Sequence, residues 1–373
     1  MKHYLSLALL GLLALAACSK PQPQPAEVIP SLKDAFPDYK IGVAVSYDLT
    51  RGNDSVAASL VAQHFNSIVA ENCMKCEVIH PEELRYDFDQ ADWFVKYGVE
   101  NGMQMIGHCL IWHSQCAPWF GVDRRGKPVK PEVLRHRMKE HITTILKRYE
   151  GRVHAWDVVN EAILDDGSYR PSFFYQILGE EYIPLAFQYA YEADSTVELY
   201  LNDYAMSSPA KVQTYLRIIR DLRQRGLRID AMGFQSHMGM DHPNWERFEA
   251  AVKAFVDEGI DVQFTEVDMS ATPTIHESAN ISDTVAYMAQ CNPYPDGLPD
   301  SVSVVWNERM TRFLSIVDRY VPHVRRVTVW GVTDAHSWKN DWPIKGRTEY
   351  PLWFDRQYQM KPFLRDRLAR YGE

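Results

Sequence analysis

Eight apolar runs, each ending in polar residues and each separated from the next by a helix-like segment, organise most of this chain of 373 residues. Strands buried on both faces of a parallel sheet read as continuous apolar runs of this kind. The runs, in chain order, are IGVAVSYD, SIVAEN, MQMIGH, VHAWDVVNE, VELYLND, AMGFQSH, DVQFTEVD and VTVWGVTD. Strands that alternate with helices eight times predict a single α/β domain, a (β/α)8 TIM barrel. All carboxyl ends of its strands lie on one rim, where we expect the polar residues to form a site.

The segments between the runs carry the periodicity and the end signals of helices. Pro131–Tyr149 and Trp245–Glu258 both repeat apolar residues every three or four positions, which gives each segment one buried face. A third helix is expected to be capped by Ser208, to have Pro209 in its first turn and to end at Gly226. These segments fit the outer layer of the predicted barrel.

The first residues read as an export signal rather than as part of the fold. Residues 1–17 begin with a basic residue and continue as an apolar run too short to span a membrane, which predicts a signal peptide. The run ends in LAAC, which resembles a bacterial lipobox and predicts that Cys18 is lipidated. Residues 18–34 then form a Pro-rich tether and residues 35–373 the folded domain. We expect an exported lipoprotein on the periplasmic or cell-surface face of a membrane; signal cleavage without modification of Cys18 is the alternative.

Charge and aromatic content narrow the choice of partners. The formal net charge is −9 and no basic stripe is visible, which argues against nucleic acid and against any membrane contact beyond the lipid anchor. The ten Trp and twenty Tyr either fill the core or provide flat platforms on which an uncharged ligand stacks, including a sugar. We expect a monomer that needs no cofactor.

Five cysteines follow Cys18, so at least one of them has no partner within the domain. They are Cys73, Cys76, Cys109, Cys116 and Cys291. The spacing of Cys73 and Cys76 is that of redox or zinc motifs, but no second pair accompanies it, and we expect no metal. A bond between Cys109 and Cys116 would tie the segment between them; the sequence leaves the pairing open.

Two glutamates, Glu161 and Glu266, close the fourth and seventh apolar runs. In a closed barrel of eight strands, the ends of strands four and seven lie across the mouth from each other. Two carboxylates that face each other across a cleft are the groups that glycoside hydrolysis requires. Such carboxylates also bind metals or pair with arginine, so the spacing alone does not fix the chemistry.

Several motifs that occur in order along the chain carry a family resemblance. They are ENCMK, GHCLIWHSQ, WDVVNEA, QSH, TEVD, WGVTDAHSW and PLWFDRQYQMKP. Together they resemble glycoside hydrolase family 10, the endo-β-1,4-xylanases, over essentially the whole domain. The resemblance implies that residues 35–373 form a glycoside hydrolase catalytic domain that binds xylan and xylo-oligosaccharides and cleaves internal β-1,4 bonds of xylan.

The resemblance also implies a retaining double displacement. Glu161 would be the acid/base and Glu266 the nucleophile, with their carboxyl groups roughly 5–5.5 Å apart. His237 would donate a hydrogen bond to Glu266, and Asp268 would hold the imidazole in place. Asn160 would bind the 2-hydroxyl of the sugar.

The same family pattern assigns a set of polar and aromatic residues to the sugar on the non-reducing side of the cleaved bond. They are Glu71, Asn72, Lys75, His108, Trp112, Gln115, Gln235, Trp330 and Trp338. Polar groups suit the hydroxylated edges of xylose, and indole rings suit its C–H faces. A ring placed close to the position of a hydroxymethyl group, such as Trp338, would reject glucose polymers by steric clash.

Three other functions remain open from the sequence. A metal-dependent barrel hydrolase would use the equally spaced histidine pairs His108/His113 and His237/His242, although this spacing points side chains to opposite faces of a strand. A glycan-binding lipoprotein would keep the aromatic platforms without the chemistry. A related barrel cellulase would share the Asn-Glu pair. The polar insertion 270–300 is expected to shape the leaving-group side or to be a tolerated surface loop.

Overall fold

The computed structural model describes residues 30–272 and 291–371, and within them a parallel sheet forms the centre of the molecule. Its strands are β1 (Lys40–Val45), β2 (Ser67–Ala70), β3 (Gln104–Gly107), β4 (Ala155–Asn160), β5 (Glu198–Asp203), β6 (Ala231–Phe234), β7 (His237–Met238), β8 (Asp261–Met269) and β9 (Val324–Val329). Every pairing between these strands is parallel.

The sheet closes on itself. Strands β1 to β6 pair in sequence, β6 pairs with β8, and β9 joins β8 to β1. The two-residue strand β7 continues beyond the end of β6 and pairs with β8, with His237 opposite Asp268. Eight strands therefore form the barrel wall, and the predicted (β/α)8 TIM barrel is confirmed.

Helices cover the outside of the barrel. They are α1 (Leu32–Ala35), α2 (Tyr47–Thr50), α3 (Ser55–His64), α4 (Cys76–Ile79), α5 (Asp89–Glu100), α6 (Pro131–Tyr149), α7 (Phe173–Leu178), α8 (Tyr182–Ala193), α9 (Pro209–Gln224), α10 (Trp245–Asp257), α11 (Asp300–Arg319) and α12 (Pro362–Tyr371), with 3-10 turns at Pro118–Phe120, Gly179–Glu181, Asp334–His336 and Trp338–Asn340. Helix α9 begins and ends as predicted. The Ser208 hydroxyl accepts from the Lys211 amide at its start, and Gly226, with φ +72°, follows its end.

Two apolar clusters hold the layers together. The larger cluster lies mainly between the barrel wall and the helices, and includes the buried faces of α6 and α10. The smaller cluster is made by side chains of seven successive barrel positions, namely Ala44, Val69, Ile106, Ala155, Tyr200, Ala231 and Trp330. A packed barrel interior leaves space for chemistry only at its ends.

The packed part of the chain begins at α1. Leu32 is fully buried, and its amide lies 3.4 Å from the ring nitrogen Nδ1 of His64. The predicted signal peptide and Cys18 lie outside the described residues, as do residues 273–290 of the insertion. Within the described residues, no helix has the length and apolar character needed to cross a membrane.

Three of the polar strand ends belong to the scaffold rather than to the centre of the rim. The first strand stops at Val45, and Asp48 lies exposed in α2, where it accepts a hydrogen bond from Asn53 at 3.1 Å. Asp334 is buried and accepts from the amide of Leu352. Asp203 is buried beside Lys211, as described below. Short polar side chains also cap turns and close loops, and the apolar pattern does not distinguish these uses.

Candidate active site

Glu161 leaves the end of β4 in a left-handed backbone conformation, with φ +56°. Its amide donates to the carbonyl of Asn202 at 2.9 Å, which fixes the turn against the neighbouring strand. Its carboxylate oxygen Oε1 accepts from Gln235 Nε2 at 3.1 Å and lies 3.4 Å from Asn160 Nδ2. The backbone turn therefore aims the carboxylate over the barrel mouth, where two amides orient it.

Glu266 lies across the mouth on β8 and is almost completely buried. Oε1 accepts from Asn202 Nδ2 at 2.8 Å, and Oε2 lies 3.2 Å from His237 Nε2. Burial alone would raise the pKa of Glu266, but the hydrogen bonds from His237 and Asn202 and the nearby positive charge lower it below its usual value. The carboxylate is thus held ionised although it is buried.

His237 forms a bridge between two carboxylates. Its Nδ1 lies 3.0 Å from Asp268 Oδ2, on the side of the ring opposite Glu266. Burial lowers the pKa of His237, but the negative charges and hydrogen bonds of Asp268 and Glu266 outweigh burial and raise it to about 9. Asp268 also accepts from Trp338 Nε1 at 3.1 Å and pairs with Lys339 Nζ at 3.0 Å. The imidazolium therefore donates to Glu266 from a fixed position.

Asn202 connects the two glutamates and was missed by the sequence prediction. Its amide nitrogen donates to Glu266 and, at 3.0 Å, to the side-chain oxygen of Asn160. Its own oxygen accepts from Thr265 Oγ1 at 2.6 Å, which fixes the orientation of the amide. A Cβ atom on Gly233 would come within 2.4 Å of that oxygen, so the glycine provides the space for Asn202. The signal was present, because Asn202 is next to the polar end of the fifth run.

A second group of polar residues surrounds Lys75. Lys75 Nζ donates to Asn72 Oδ1 and to Gln115 Oε1, both at 2.8 Å, and lies 5.1 Å from the ring centre of Trp112. Burial, opposed by the charge of Lys75, raises the pKa of Glu71. The structure thus brings together five residues that the family pattern assigns to the sugar. Their polar side chains offer donors and acceptors to hydroxyl groups.

His108 and Trp330 lie deeper than this group. His108 is 2% exposed and its Nδ1 lies 2.8 Å from Asp157 Oδ2, a partner that the sequence prediction did not include. The ring of Trp330 meets His108 edge to face at 5.3 Å and is only 7% exposed. Trp330 therefore packs mainly as the upper end of the barrel interior, whereas Trp338, at 37% exposed, offers more of its ring to a ligand.

The loop after β4 is held by charged residues that the sequence prediction also left out. Arg170 Nε donates to the carbonyl oxygen of Glu161 at 2.8 Å, and its Nη2 donates to the hydroxyl of Tyr204 at 2.7 Å. Beneath them, Lys211 pairs with Asp203 at 3.0 Å, and both side chains are fully buried. Burial, partly offset by Lys211, raises the pKa of Asp203 to about 6. These contacts stabilise the strained turn.

A cavity of about 360 Å³ adjoins His237, and Lys75 and its partners Asn72 and Gln115 are not part of its lining. Its lining includes Tyr204, Met206, Met238 and Trp338. Its size and its aromatic walls suit one ring of a carbohydrate.

Metal-binding groups of three or more His, Cys, Asp or Glu side chains are absent from residues 30–272 and 291–371. Two of the four histidines named for the metal-dependent alternative, His108 and His237, each face a carboxylate that holds the ring. The arrangement instead offers an ionised, buried carboxylate with two donors and, opposite, a second carboxylate that reaches the same mouth. These two carboxylates are suited to general acid/base catalysis and nucleophilic catalysis on an uncharged substrate.

Comparison with known proteins gives a consistent result. The profile described as glycosyl hydrolase family 10 matches residues 31–369. An endo-1,4-beta-xylanase A of Xylanibacter ruminicola is 44% identical over 365 residues, which cover 97% of this chain and 98% of that protein. A family 10 endoxylanase from a sugarcane soil metagenome is 36% identical, with a TM-score of 0.85 over 91% of this chain and 99% of that structure. A mutant protein solved in complex with xylotriose is 29% identical, with a TM-score of 0.81 over 91% and 99%.

Proposed function

Because this chain belongs to glycosyl hydrolase family 10 and is an endo-1,4-β-xylanase that cleaves xylan with retention of configuration, we propose that Glu161 is its acid/base and Glu266 its nucleophile. This proposal depends mainly on Asn202, whose side-chain Nδ2 donates to Glu266 and whose backbone carbonyl accepts from the backbone amide of Glu161. One residue thus sets the position of both carboxylates relative to each other.

The reaction proceeds in two displacements. The Glu266 carboxylate attacks the anomeric carbon, the bond from that carbon to the glycosidic oxygen breaks, and Glu161 gives its proton to the departing oxygen. Water then loses a proton to Glu161 and attacks the same carbon, which releases Glu266 and leaves the sugar with its original β configuration. The hydrogen bonds from His237 and Asn202 keep Glu266 ionised until it attacks.

The remaining site residues divide between support and substrate binding. His237 and Asp268 hold the nucleophile, and Asn160 binds the sugar 2-hydroxyl. The glycone is bound by Glu71, Asn72, Lys75, His108, Trp112, Gln115, Gln235, Trp330 and Trp338. The close group around Lys75 supports this assignment, as do the xylanases among the similar proteins and a similar protein solved with xylotriose. The cavity beside Tyr204 and Met206 receives a sugar of the leaving group.

Single-residue variants test the two catalytic roles. Glu266→Gln and Glu161→Ala each lower kcat on xylan by at least about a thousandfold. Azide restores turnover of Glu161→Ala on an aryl xyloside with a good leaving group and yields the β-glycosyl azide, because the aryl group departs without an acid and the azide anion attacks the glycosyl-enzyme without a base. Glu198→Gln, at the opposite end of β5, is the matched control and keeps kcat within about twofold. Proton NMR that showed the α-anomer forming first would overturn the retaining assignment.

The same proposal includes a lipid anchor at Cys18 and a monomeric, exported protein. It is supported by the apolar run 1–17, the LAAC sequence and the Pro-rich segment that follows. Cells grown with labelled palmitate should incorporate label into the chain, and Cys18→Ser should abolish it while Cys291→Ser does not. Label that persisted in Cys18→Ser, or an enzyme released in soluble form from intact cells, would contradict the anchor. Sedimentation of the enzyme without its first 29 residues should give a mass near that of one chain.

A further inference from the structure

Two cysteine thiols meet at the edge of the glycone-binding group. Cys116 Sγ lies 3.6 Å from Cys76 Sγ, although the two residues are far apart in the sequence. The adjoining backbones are joined as well, because the amide of Glu77 donates to the carbonyl of Gln115 at 3.0 Å. This contact keeps the two chain segments side by side, as a disulfide requires, and the sulfur atoms are roughly 1.5 Å farther apart than those of a disulfide.

The spacing in the sequence suggests the pairs Cys73/Cys76 and Cys109/Cys116, whereas the structure brings Cys76 and Cys116 together. Cys73, three residues before Cys76, is buried and free within the part of the chain that the structure describes. Cys109 is 2% exposed, whereas Cys116 is half-buried and open to an oxidant. Two effects raise the pKa of Cys116 well above its usual value: the hydrogen bond to Cys76, which is the larger, and burial of the thiol. Oxidation of this pair therefore depends on proximity rather than on an activated thiolate.

Both cysteines are next to residues of the glycone group. Lys75 precedes Cys76 and Gln115 precedes Cys116, and these two neighbours share the 2.8 Å hydrogen bond from Lys75 Nζ. Gln115 Nε2 also donates to Glu77 Oε1 at 3.0 Å. A covalent bond between the cysteines would fasten the two segments directly behind the atoms that meet the sugar.

We propose that Cys76 and Cys116 form a disulfide in the exported enzyme and that this bond fixes Lys75 relative to Gln115 in the glycone site. The proposal rests on the proposed export, since exported compartments are oxidising, and on the proposed binding role of the two residues. The two thiols lose two protons and two electrons to a disulfide oxidant, which is reduced to two thiols. In the test the oxidant is oxidised glutathione.

The first measurement maps the bond itself and needs no activity. The folded chain, purified under reducing conditions, is kept with oxidised glutathione at pH 8 until its alkylation pattern no longer changes, and is then alkylated and digested without reduction. Mass spectrometry should find one cross-linked peptide pair that joins Cys76 to Cys116 and disappears on reduction. Both residues fully alkylated, both carrying glutathione, or either one bonded to Cys109 would overturn the proposal.

The second measurement tests what the bond does. Oxidation should raise Tm by about 5 °C, because it closes a long loop of the unfolded chain. It should lower KM for xylotriose about twofold to fivefold with kcat unchanged. Cys116→Ser should lose both differences between the redox states, and Cys291→Ser should keep them. A mapped disulfide with unchanged KM would refute the positional effect, whereas an inactive enzyme with the mapped disulfide would count against the proposed function alone.

Discussion

At the residue scale, the site depends on donors that hold a buried carboxylate in its charged form. Glu266 is nine-tenths buried, yet its pKa is lowered, because the donors His237 and Asn202 outweigh the cost of burial. The amide of Asn202 has a second task, since it also positions Asn160. Loss of one side chain in such a connected group affects every partner that it orients.

Asn202→Ala tests this arrangement. We expect kcat to fall by about tenfold to a thousandfold, since a donor to the reacting carboxylate is lost. The pKa of Glu266 should rise toward its usual value, so the acid limb of the kcat/KM profile should move to higher pH. Thr265→Val removes only the hydroxyl that orients Asn202 and should give a smaller shift in the same direction. An unchanged acid limb in Asn202→Ala would contradict the role of the amide.

His237 links the site to the stability of the whole protein. Its pKa is raised from 6.5 in the unfolded chain to about 9 in the fold, so its contribution is complete below pH 6.5 and is lost as the pH rises through 9. The free energy of unfolding should therefore fall by on the order of 3 kcal/mol between these values because of this group. Urea unfolding of wild type and His237→Asn across pH 6 to 9.5 measures it. Parallel pH profiles of the two proteins would show that His237 is not the group.

At the element scale, glycines on the strands matter to the site as much as the reactive residues do, because they leave space for neighbouring side chains. Gly233 on β6 leaves the space that the side chain of Asn202 occupies. Gly42 on β1 faces Thr328 in the same way, but without contact to the glutamates, since a Cβ there would lie 2.7 Å from Oγ1 of Thr328. Substitution of each glycine therefore crowds the barrel wall, and only one of them disturbs the chemistry.

Gly233→Ala and Gly42→Ala form a matched pair for this idea. Gly233→Ala should displace Asn202 and lower kcat of the folded enzyme by at least about tenfold. Gly42→Ala should lower Tm by a comparable amount and leave kcat of the folded enzyme within about twofold. Circular dichroism confirms folding before kinetics are compared. Equal kcat values for the two variants would show that displacement of Asn202 is not what matters.

The sequence determined the elements better than it determined the contacts within the site. The predicted helix Pro131–Tyr149 has the same first and last residues in the structure, because the signals that begin and end a helix are local. Asn202 was missed, because its importance depends on where β4, β5 and β8 place their side chains after the barrel closes. Asp48 takes no part in the site, since a carboxylate that bonds a neighbouring side chain and a catalytic one look alike in sequence. Contacts between distant strands require the closed barrel, which no local pattern describes.

At the scale of the whole molecule, the two faces of the barrel have different tasks. The carboxyl rim carries the glutamates and their donors, whereas the opposite face is closed by ion pairs such as Arg325 with Glu198 and Asp261. The amino-terminal helix α1 belongs to this folded body, since Leu32 is fully buried and Phe36 is 3% exposed. The stability of the enzyme therefore depends on residues far from its cleft.

Truncation from the amino terminus tests where the folded body begins. Removal of residues 1–29 should leave Tm and kcat on xylan unchanged. Removal of residues 1–36 also takes away Leu32 and Phe36, and should lower the free energy of unfolding by at least about 2 kcal/mol. Thermal and urea unfolding of the two proteins provide the comparison. Identical stabilities would mean that α1 is not part of the cooperative unit.

The left-handed turn at Glu161 has a consequence for how this enzyme can evolve. A residue with a Cβ atom in that conformation costs on the order of 1 kcal/mol or more, and glycine would relieve it. Selection for heat resistance alone would therefore drift toward glycine at position 161 and extinguish the enzyme. Only selection for xylan hydrolysis keeps the glutamate at this position. A relative with glycine there would therefore be a more stable protein that no longer hydrolyses xylan.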